Sequence, residues 1–328
     1  MNKEESESSS QSAQPPRLAL VIPCYNEEDA LKQTAVVLEG KVEGLRSEGL
    51  IAEDSIIIYV DDGSHDATWQ EIVALHGKDP TTSHGIRLAH NKGHQNAVYA
   101  GLMKALSVGV DAAVSMDADL QDDPDAIDEM VSRYRQGCEI VYGVRNNRQT
   151  DSAFKRGTAH CFYRLMNWMG TETIPDHADF RLMGKRSLQA LSRYHEVNLF
   201  LRGIVPSLGF KTSEVFYRRS KRVAGKSKYP LKKMIALAVD GLTSFSVKPL
   251  SFITGLGCLF TVVGIVMLIY TLVSVATGHA VAGWGSIMCS VWILGGVNLM
   301  GMGVLGEYIG RIYMEVKGRP RYIVEEEV

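Results

Sequence analysis

The chain has few cysteines, and their arrangement excludes a disulfide framework and a cysteine-based zinc site. Only five cysteines occur in 328 residues, they are scattered, and none belongs to a C-x-x-C pair. Such a pattern is typical of reduced, structural thiols. The nine histidines include no H-E-x-x-H sequence, so that metal-binding motif is absent as well.

Motifs for nucleic-acid binding and for nucleotide hydrolysis are also missing. No basic motif is interleaved with aromatic residues, and we expect no nucleic-acid partner. No G-x-x-x-x-G-K-[ST] sequence occurs, which disfavours a P-loop NTPase. A G-x-G-x-x-G match at 301–306 lies inside an apolar stretch. We expect a transmembrane helix there, in which small residues allow close helix packing, rather than a dinucleotide site.

Residues 1–16 lack the apolar core of a signal peptide. They are rich in Ser, Glu and Gln and close with Pro15-Pro16. A segment with so little hydrophobic surface cannot offset the entropy lost on folding. We therefore expect a disordered N-terminal tail.

Charged residues are absent from a long stretch near the C terminus. No Asp, Glu, Lys or Arg lies between Lys248 and Glu307. A membrane span needs about 20 apolar residues, and this stretch is long enough for two, at 249–277 and 284–306. A buried hairpin of a soluble protein is the alternative, which so long an uncharged run disfavours.

Positive charges on both sides of this hairpin predict its orientation. Lysines and arginines precede and follow it, whereas the link at 278–283 carries none. The chain is therefore predicted to be a multi-pass protein of the inner (plasma) membrane. By the positive-inside rule, both termini and the domain before the hairpin lie in the cytoplasm. The predicted parts are a tail at 1–16, a cytoplasmic domain at 17–233, a membrane domain at 234–310 and a cytoplasmic tail at 311–328.

Apolar runs alternate with helical patterns between residues 17 and 143. The runs read as buried strands, the first of them stopped by Pro23, at 17–22, 56–60, 110–116 and 139–143. The helical patterns cover 28–45, 68–75, 94–106 and 124–136. This alternation predicts an α/β fold with a mostly parallel, Rossmann-like sheet covered on both faces. In such sheets, ligands bind outside the carboxyl ends of the strands.

Two carboxylates, Asp117 and Asp119, follow the third apolar run. Residues i and i+2 of a strand point to the same side, so both side chains are predicted to face one point. Carboxylates at the end of a buried strand are costly without a cation, and oxygen ligands suit Mg2+ or Mn2+ on substrate phosphates. Asp122 and Asp123, which precede Pro124, instead predict helix capping or solvent exposure.

Polar residues at two earlier strand ends predict a nucleotide site. Asp61 and Asp62 end the second run, where carboxylates can accept hydrogen bonds from a base imino group or ribose hydroxyls. A Tyr-Asn-Glu sequence at 25–27 follows the first run and could cradle the nucleoside. An ordinary turn is the alternative for the Asp-Gly-Ser sequence at 62–64. Three such motifs at strand ends together favour a nucleotide-sugar site with a metal on the diphosphate.

A basic segment precedes the apolar hairpin. Ten Lys or Arg and a single acidic residue lie within 202–233, which suggests contact with anionic headgroups or phosphates. Arg222 and Lys228 are predicted to contact phosphate. Juxtamembrane charges that set topology are the alternative, and the favoured reading for Lys232 and Lys233.

In their order along the chain, these motifs resemble glycosyltransferase family 2. The strings are Pro23-x-Tyr25-Asn26-Glu27, Asp61-Asp62-Gly63-Ser64-x-Asp66, Asn91-x-Gly93 and Asp117-Ala118-Asp119-Leu120-Gln121-Asp122. More narrowly, the chain is similar to polyprenyl-phosphate glycosyltransferases of the bactoprenol glucosyltransferase type, which are related to dolichol-phosphate mannose synthase. Later strings at 179–183, 198–203, 222–229 and 303–311 also match, so the resemblance covers about 17–323. Lys92 departs from it, because close relatives usually carry an aromatic residue there.

The resemblance implies a GT-A fold and inverting transfer of a sugar from a nucleotide sugar, best guessed as UDP-glucose, to undecaprenyl (polyprenyl) phosphate. The product would be a lipid-linked sugar donor for cell-envelope glycan modification. By position, the resemblance implies catalytic roles for Asp119 and Arg222, and a Mg2+ or Mn2+ site at Asp117, Asp119 and Gln121. Nucleotide-sugar contacts are implied at Pro23, Tyr25, Asn26, Glu27, Asp61, Asp62, Ser64, Gly93, Asp117 and Ala118. Lipid-phosphate or diphosphate contacts are implied at Arg145, Arg222, Ser227 and Lys228.

Such a reaction needs no general base, because a phosphate oxygen is largely ionised at about pH 7 and is already a nucleophile. The site must stabilise the leaving group and align two anions, whose repulsion cations such as Arg145 offset. Alternatives are an enzyme that uses GDP-mannose and a catalytically silent scaffold that binds nucleotide sugars. A processive polysaccharide synthase is disfavoured, because no Q-x-x-R-W string occurs. Assembly of the hairpins into a homo-oligomer is left open.

Overall fold

A computed structural model describes residues 14–145, 177–196, 200–218 and 283–328, with isolated positions between 253 and 277. Its strands are β1 (Leu18–Cys24), β2 (Ile56–Asp61), β3 (Ser83–Leu88), β4 (Ala112–Ser115), β5 (Ile140–Arg145), β6 (His177–Gly184), β7 (Thr212–Tyr217) and β8 (Val324–Glu327). Its helices are α1 (Glu28–Ser47), α2 (Thr68–Lys78), α3 (His94–Ser107), α4 (Ala126–Arg135), α5 (Lys185–Leu191), α6 (Leu201–Ser207) and α7 (Trp284–Val316).

The strands form one sheet of eight in the order β7-β5-β6-β4-β1-β2-β3-β8. The adjacent strands β4, β1, β2 and β3 are parallel to one another, and β5 is parallel to β7. In contrast, β6 runs antiparallel to both β4 and β5, and β8 runs antiparallel to β3. The predicted α/β fold with a mostly parallel sheet is therefore confirmed. All four predicted strands and four predicted helices are present, whereas β3, β6, β7 and β8 have no counterpart among the predicted strands.

Continuous apolar runs make β1 and β2 buried along their whole length. Helix α1 covers them with residues spaced three or four apart, including Leu31, Ala35, Leu38 and Val42, and these belong to the same apolar cluster as Leu20 of β1. Burial of each large aliphatic side chain stabilises the fold by about 1.5–3 kcal/mol. This core fixes the carboxyl ends of the central strands relative to one another.

Strand β1 continues through Pro23 to Cys24, so the prediction that Pro23 stops the strand is wrong. The reason lies in the register, since β1 pairs with β4 only as far as Val21. Beyond that point β1 has only β2 beside it, and proline is tolerated where one side of a strand needs no donor. Cys24, like Cys138, is a free and buried thiol, as the cysteine pattern predicts.

The described residues belong to two compact units, one with the sheet and residues 320–328, the other with α7. Helix α7 contains the predicted span 284–306 and the G-x-G-x-x-G sequence within it. Within the ranges that the structure describes, no helix is both long and apolar enough to cross a membrane. The predicted span 249–277 falls almost entirely outside those ranges. The membrane hairpin and the N-terminal tail therefore stay predictions.

Candidate active site

The predicted polar motifs meet at one edge of the sheet. Strands β4, β1 and β2 are adjacent and parallel, so the loops at 25–27, 62–67 and 116–125 leave the same edge. Hydrogen bonds join the first loop to the second and the second to the start of α3, and α1 holds the third through Thr34. The residues predicted for the nucleotide site and those predicted for the metal site thus lie at the same sheet edge.

The loop after β1 is tied to the loop after β2. The main-chain N–H of Asn26 donates to Ser64 Oγ at 3.0 Å, and Asn26 Oδ1 accepts the N–H of His65 at 2.9 Å. The N–H of Glu27 donates to Thr68 Oγ1 at 2.9 Å. Asn26 has a φ of 52°, a left-handed conformation that asparagine tolerates better than most residues. The side chain of Asn26 therefore shapes the cradle itself.

Asp62 anchors the segment that leads into α3. Its Oδ1 accepts the N–H of Lys92 at 2.7 Å, and its Oδ2 accepts the N–H of Gly93 at 2.9 Å. The neighbouring Gly63 has a φ of 66°, and a Cβ atom there would lie 2.7 Å from the nitrogen of Asn91. Glycine is required at this position both by the backbone conformation and by the close approach of the second loop.

Asp61 is completely buried at the end of β2. Its Oδ1 accepts the main-chain N–H of Ser64 at 3.0 Å, while Oδ2 lies 3.5 Å from Arg87 Nε in β3. Burial raises the pKa of the carboxyl, and the hydrogen bonds from Ser64 and the charge of Arg87 lower it by less. Burial likewise raises the pKa of Asp62, against the N–H groups of Lys92 and Gly93.

The Asp117–Asp119 segment lies in a loop, because β4 ends at Ser115. The argument from strand alternation is therefore wrong, since the two carboxylates are not strand residues. The loop is fixed instead by Thr34 of α1, whose Oγ1 donates to the carbonyl of Ala118 at 2.6 Å. The N–H of Gln121 donates to Asp119 Oδ1 at 3.2 Å.

Leu120, between Asp119 and Gln121, has a φ of 50°. A left-handed conformation is unfavourable for leucine and costs roughly 1–2 kcal/mol. Such strained residues cluster at functional sites, where the surrounding contacts hold them in place. The strain therefore makes this turn a candidate functional segment.

His94, the first residue of α3, lies between two carboxylates. Its Nε2 is 3.5 Å from Asp117 Oδ1 and 3.5 Å from Asp179 Oδ2. Burial lowers the pKa of His94, but the nearby carboxylates of Asp179 and Asp117 outweigh it, so the pKa is raised. Burial raises the pKa of Asp117; His94 opposes this, whereas Asp122, Asp179 and Asp119 add to it. Asp117 and Asp119 are thus close enough to repel each other.

Two arginines hold Asp179 on the other side. Arg181, which is 1% exposed, donates from Nη2 to Asp179 Oδ1 at 2.7 Å. Arg202 donates from Nε and Nη2 to the two oxygens of Asp179 at 3.2 and 3.0 Å. Although burial raises the pKa of Asp179, the nearby His94 and the charges of Arg202 and Arg181 hold it well below its usual value.

The carboxylates after β4 fit a divalent cation that is shared with a substrate phosphate. Among the described residues, no three His, Cys, Asp or Glu side chains form a group that could hold a metal ion. Mg2+ commonly binds through one or two carboxylates plus phosphate oxygens, rather than in an all-protein cage. Asp117, whose side chain is 38% exposed, and Asp119 supply that kind of partial site. Their metal role, with that of Gln121, stays a prediction.

Asp122 differs from its prediction. Its side chain is 1% exposed and lies 3.2 Å from Arg145 Nη2, and it accepts a hydrogen bond from Tyr217 Oη. Helix α4 begins two residues after Pro124, with Asp125 at its N-cap position. The capping or solvent-exposed assignment of Asp122 is therefore wrong. Asp123 accepts the N–H of Asp125 through Oδ1 at 3.0 Å.

The other predicted residues have different outcomes. Pro23 is buried within β1, and Tyr25 is half-buried just beyond it. Arg145 lies at the end of β5, where Asp122 and Tyr217 hold it. The predicted phosphate-binding residues Arg222, Ser227 and Lys228 lie outside the described residues.

Two residues to which the sequence motifs assign no role also lie at the site: His94, which belongs to no motif, and Asp179, the first residue of the matching string at 179–183. Asp179 and Arg181 are two apart on β6, so they point to the same side of the sheet. The available sequence signal is the matching string at 179–183, in which a carboxylate and an arginine stand two residues apart. The contacts with His94 and Arg202 come from other elements and have no local signal.

Comparisons with known proteins agree with this architecture. A family model described as Glycosyl transferase family 2 matches residues 19–192. A protein of Bacillus subtilis (strain 168) named "Uncharacterized glycosyltransferase YkoT" is 52% identical over 310 residues, covering 94% of this chain and 91% of that protein. The SfII prophage-derived bactoprenol glucosyl transferase of Shigella flexneri is 39% identical over 315 residues, covering 94% of this chain and 98% of that protein.

Solved structures show only a distant likeness. Mannosyl-3-phosphoglycerate synthase from Rubrobacter xylanophilus aligns over 70% of this chain and 73% of that chain, with 12% identity and a TM-score of 0.45. A likeness of this size supports no inference about the site.

Proposed function

Because this chain belongs to glycosyl transferase family 2, we propose that it transfers a sugar from a nucleotide sugar to undecaprenyl (polyprenyl) phosphate. The predictions of the family and of a glycosyltransferase enzyme are confirmed by the family match and by the bactoprenol glucosyl transferase relatives. The acceptor is proposed from the names of those relatives. UDP-glucose is the proposed donor, and the proposed location is the cytoplasmic face of the inner membrane.

The observation that carries this proposal is the continuous chain of contacts along one sheet edge. Asp62 holds the N–H of Gly93, and the next residue, His94, contacts Asp117. The proposed nucleoside cradle and the proposed diphosphate and metal site are therefore linked through the start of α3. A nucleotide sugar has the same order of parts, with a nucleoside at one end and a diphosphate next to it.

Each group of residues would perform a separate task. Asp61, Asp62, Ser64 and the 25–27 segment would orient the nucleoside, while Asp117 and Asp119, with Gln121, would hold Mg2+ or Mn2+. Such a cation, when bound, neutralises charge on the departing nucleoside diphosphate. The acceptor phosphate would attack as an ionised oxygen, so the site has to position it rather than deprotonate it.

Arg145 is proposed to meet one of the two phosphate groups. It is already oriented by Asp122 and Tyr217, so little side-chain freedom would be lost on binding. Arg222, Ser227 and Lys228 are proposed to complete the acceptor site. A single displacement at the anomeric carbon would invert its configuration.

The test is incubation of the full-length protein with undecaprenyl phosphate, Mg2+ and a panel of UDP-glucose, UDP-galactose and GDP-mannose. Mass analysis of the lipid should show one hexose added, and NMR spectroscopy of the product should show inversion at the anomeric carbon. No lipid product and no nucleotide release with any donor would contradict the proposal and favour a silent binding scaffold.

Replacing Asp119 by alanine tests the metal assignment. We expect Asp119→Ala to abolish transfer while the protein still folds, because the diphosphate loses its cation. Asp125→Ala is a matched control, since Asp125 is a neighbouring carboxylate whose side chain is 85% exposed and pairs with Lys41. Normal turnover in Asp119→Ala would contradict the metal role.

A further inference from the structure

The C-terminal residues form an additional strand on the nucleotide side of the sheet. Strand β8 pairs antiparallel with β3. The N–H of Gly85 donates to the carbonyl of Val328 at 2.8 Å, and the N–H of Val328 donates to the carbonyl of Gly85 at 2.9 Å. The N–H of Ala89 donates to the carbonyl of Ile323 at 2.9 Å. Residues 320–328 therefore belong to the unit that carries the candidate site.

Three glutamates of β8 contact three different partners. Glu326 accepts a hydrogen bond from Trp69 Nε1 of α2 at 2.9 Å. Glu327 pairs with Lys104 of α3. Glu325 Oε2 lies 3.6 Å from Arg87 Nε. Of these three partners, Arg87 is the one that also lies beside Asp61.

Arg87 lies between two carboxylates. Its Nε is 3.5 Å from Asp61 Oδ2 and 3.6 Å from Glu325 Oε2. Both distances are too long for a hydrogen bond. Within the described part of the chain, the buried Asp61 Oδ2 has no hydrogen-bond partner, although Oδ1 accepts from Ser64. A buried carboxylate oxygen without a donor costs free energy and is suited to a donor supplied by a ligand.

We propose that Glu325 is a positioning residue for the nucleotide site and acts through Arg87. By drawing the guanidinium toward β8, Glu325 keeps Arg87 near enough to balance the charge of Asp61 but too far to occupy Oδ2. That oxygen is buried and has no donor among the described residues, so it is left to accept an N–H or O–H group of the nucleotide once binding gives access to it. The inference rests on the proposed function, because it needs a nucleotide at Asp61.

Calorimetric titration of the full-length protein with UDP and, separately, GDP in the presence of Mg2+ tests this inference. Glu325→Gln keeps the shape but removes the charge, and Arg87 should then move onto Asp61. We expect the Kd of the nucleotide that binds to rise about fivefold, the upper range for a partly exposed ion pair. The KM for the matching nucleotide sugar should rise similarly, with little change in kcat.

Glu326→Gln is the matched control on the same strand. It weakens the contact with Trp69 but leaves Arg87 untouched, so the nucleotide Kd should stay at the wild-type value. The melting temperature of each variant separates loss of folding from loss of binding. A Kd that is equal in Glu325→Gln and wild type, or that rises equally in both glutamate variants, overturns the inference.

A double-mutant cycle with Arg87→Gln tests whether Glu325 acts through Arg87. Arg87→Gln should itself weaken binding, and adding Glu325→Gln to it should have no further effect. Additive effects would mean that Glu325 does not act through Arg87 and would overturn the inference. If Arg87→Gln fails to fold, the comparison of Glu325→Gln with Glu326→Gln decides alone. Wild-type protein that binds neither UDP nor GDP would instead contradict the proposed function.

Discussion

Two carboxylates of the candidate site, Asp62 and Asp179, are held by different kinds of partner. At the end of β2, Asp62 accepts two main-chain N–H groups from the loop before α3. On β6, Asp179 is held by two arginines, one of them completely buried. Both carboxylates lie in interior positions, yet the pKa of Asp62 is raised by burial whereas that of Asp179 is held well below its usual value.

The comparison shows which partner outweighs burial. At Asp62, the two neutral N–H donors fix the direction of the carboxylate but lower its pKa by less than burial raises it. At Asp179, the positively charged donors outweigh burial, because the attraction between opposite charges is strong where water is excluded. Asp62 therefore fixes the backbone of the loop before α3. Asp179 instead belongs to a network of opposite charges next to Asp117.

The largest expected effect comes from removing the charge of Asp179. Asp179→Asn keeps the shape but leaves the guanidinium of Arg181, which is 1% exposed, without its charged partner. Breaking a buried pair in this way costs about 3–5 kcal/mol. We expect the free energy of unfolding to fall by about 4 kcal/mol, measured by denaturant titration in detergent, with loss of transfer activity.

Asp54→Asn is the control for this prediction. Asp54 also pairs with an arginine, Arg17, but its side chain is 68% exposed. Exposed pairs contribute about 0–1 kcal/mol, so this variant should unfold almost like wild type. Equal stability of the two variants would mean that Asp179 and Arg181 are not a buried pair.

A smaller effect is expected from breaking the cradle at Gly63. Gly63→Ala places a Cβ atom 2.7 Å from the backbone of Asn91 and imposes a left-handed conformation on alanine. We expect a loss of about 3 kcal/mol in the free energy of unfolding. Nucleotide affinity should fall as well, because Asp62 holds the segment that must move.

Gly49→Ala separates the two causes. Gly49 has nearly the same φ, 65°, but nothing lies within 4 Å of the added Cβ atom. Its substitution should cost only about 1 kcal/mol and leave nucleotide binding unchanged. If the two alanine variants lose the same stability, the close approach of the two loops does not exist in solution.

The comparison also explains which parts of the site are predictable from sequence. The ends of β1, β2 and β4 follow uninterrupted apolar runs, so the sequence alone places their polar residues at one sheet edge. The hydrogen bonds of Asp61 and Asp62 are made to residues nearby in sequence or in the next loop, as turn chemistry suggests.

The charge network and the edge strands have no comparable local signal. Strand β6 lies inside the sheet, but Asp179 and Arg181 interrupt its apolar residues, and the edge strand β8 is mostly acidic. Neither sequence therefore shows the continuous apolar run of a buried strand. The prediction for Asp122 fails because the sequence around Pro124 is typical of a helix start. Only its tertiary partners, Arg145 and Tyr217, determine that it is buried.

Asp79 separates the effect of neutral donors from the effect of burial. Like Asp62 it accepts hydrogen bonds from neutral donors, but it is only slightly buried. Its Oδ1 accepts the hydroxyl of Thr81 and the N–H groups of Thr81 and Thr82. With burial too small to oppose them, these bonds lower the pKa of Asp79 from 3.8 to about 2. Its stabilising effect is therefore present above about pH 4 and is lost as the pH falls toward 2.

Asp79→Asn should consequently lower the free energy of unfolding at neutral pH by about 1 kcal/mol, after allowance for solvent screening. The difference between the variant and wild type should shrink as the pH is lowered from about 4 to about 2, because wild-type Asp79 then also becomes neutral. Denaturant titrations at a series of pH values measure this difference. A difference that stays constant through that range would mean that ionised Asp79 does not accept these hydrogen bonds, and that neutral donors do not lower a carboxyl pKa even where burial is slight.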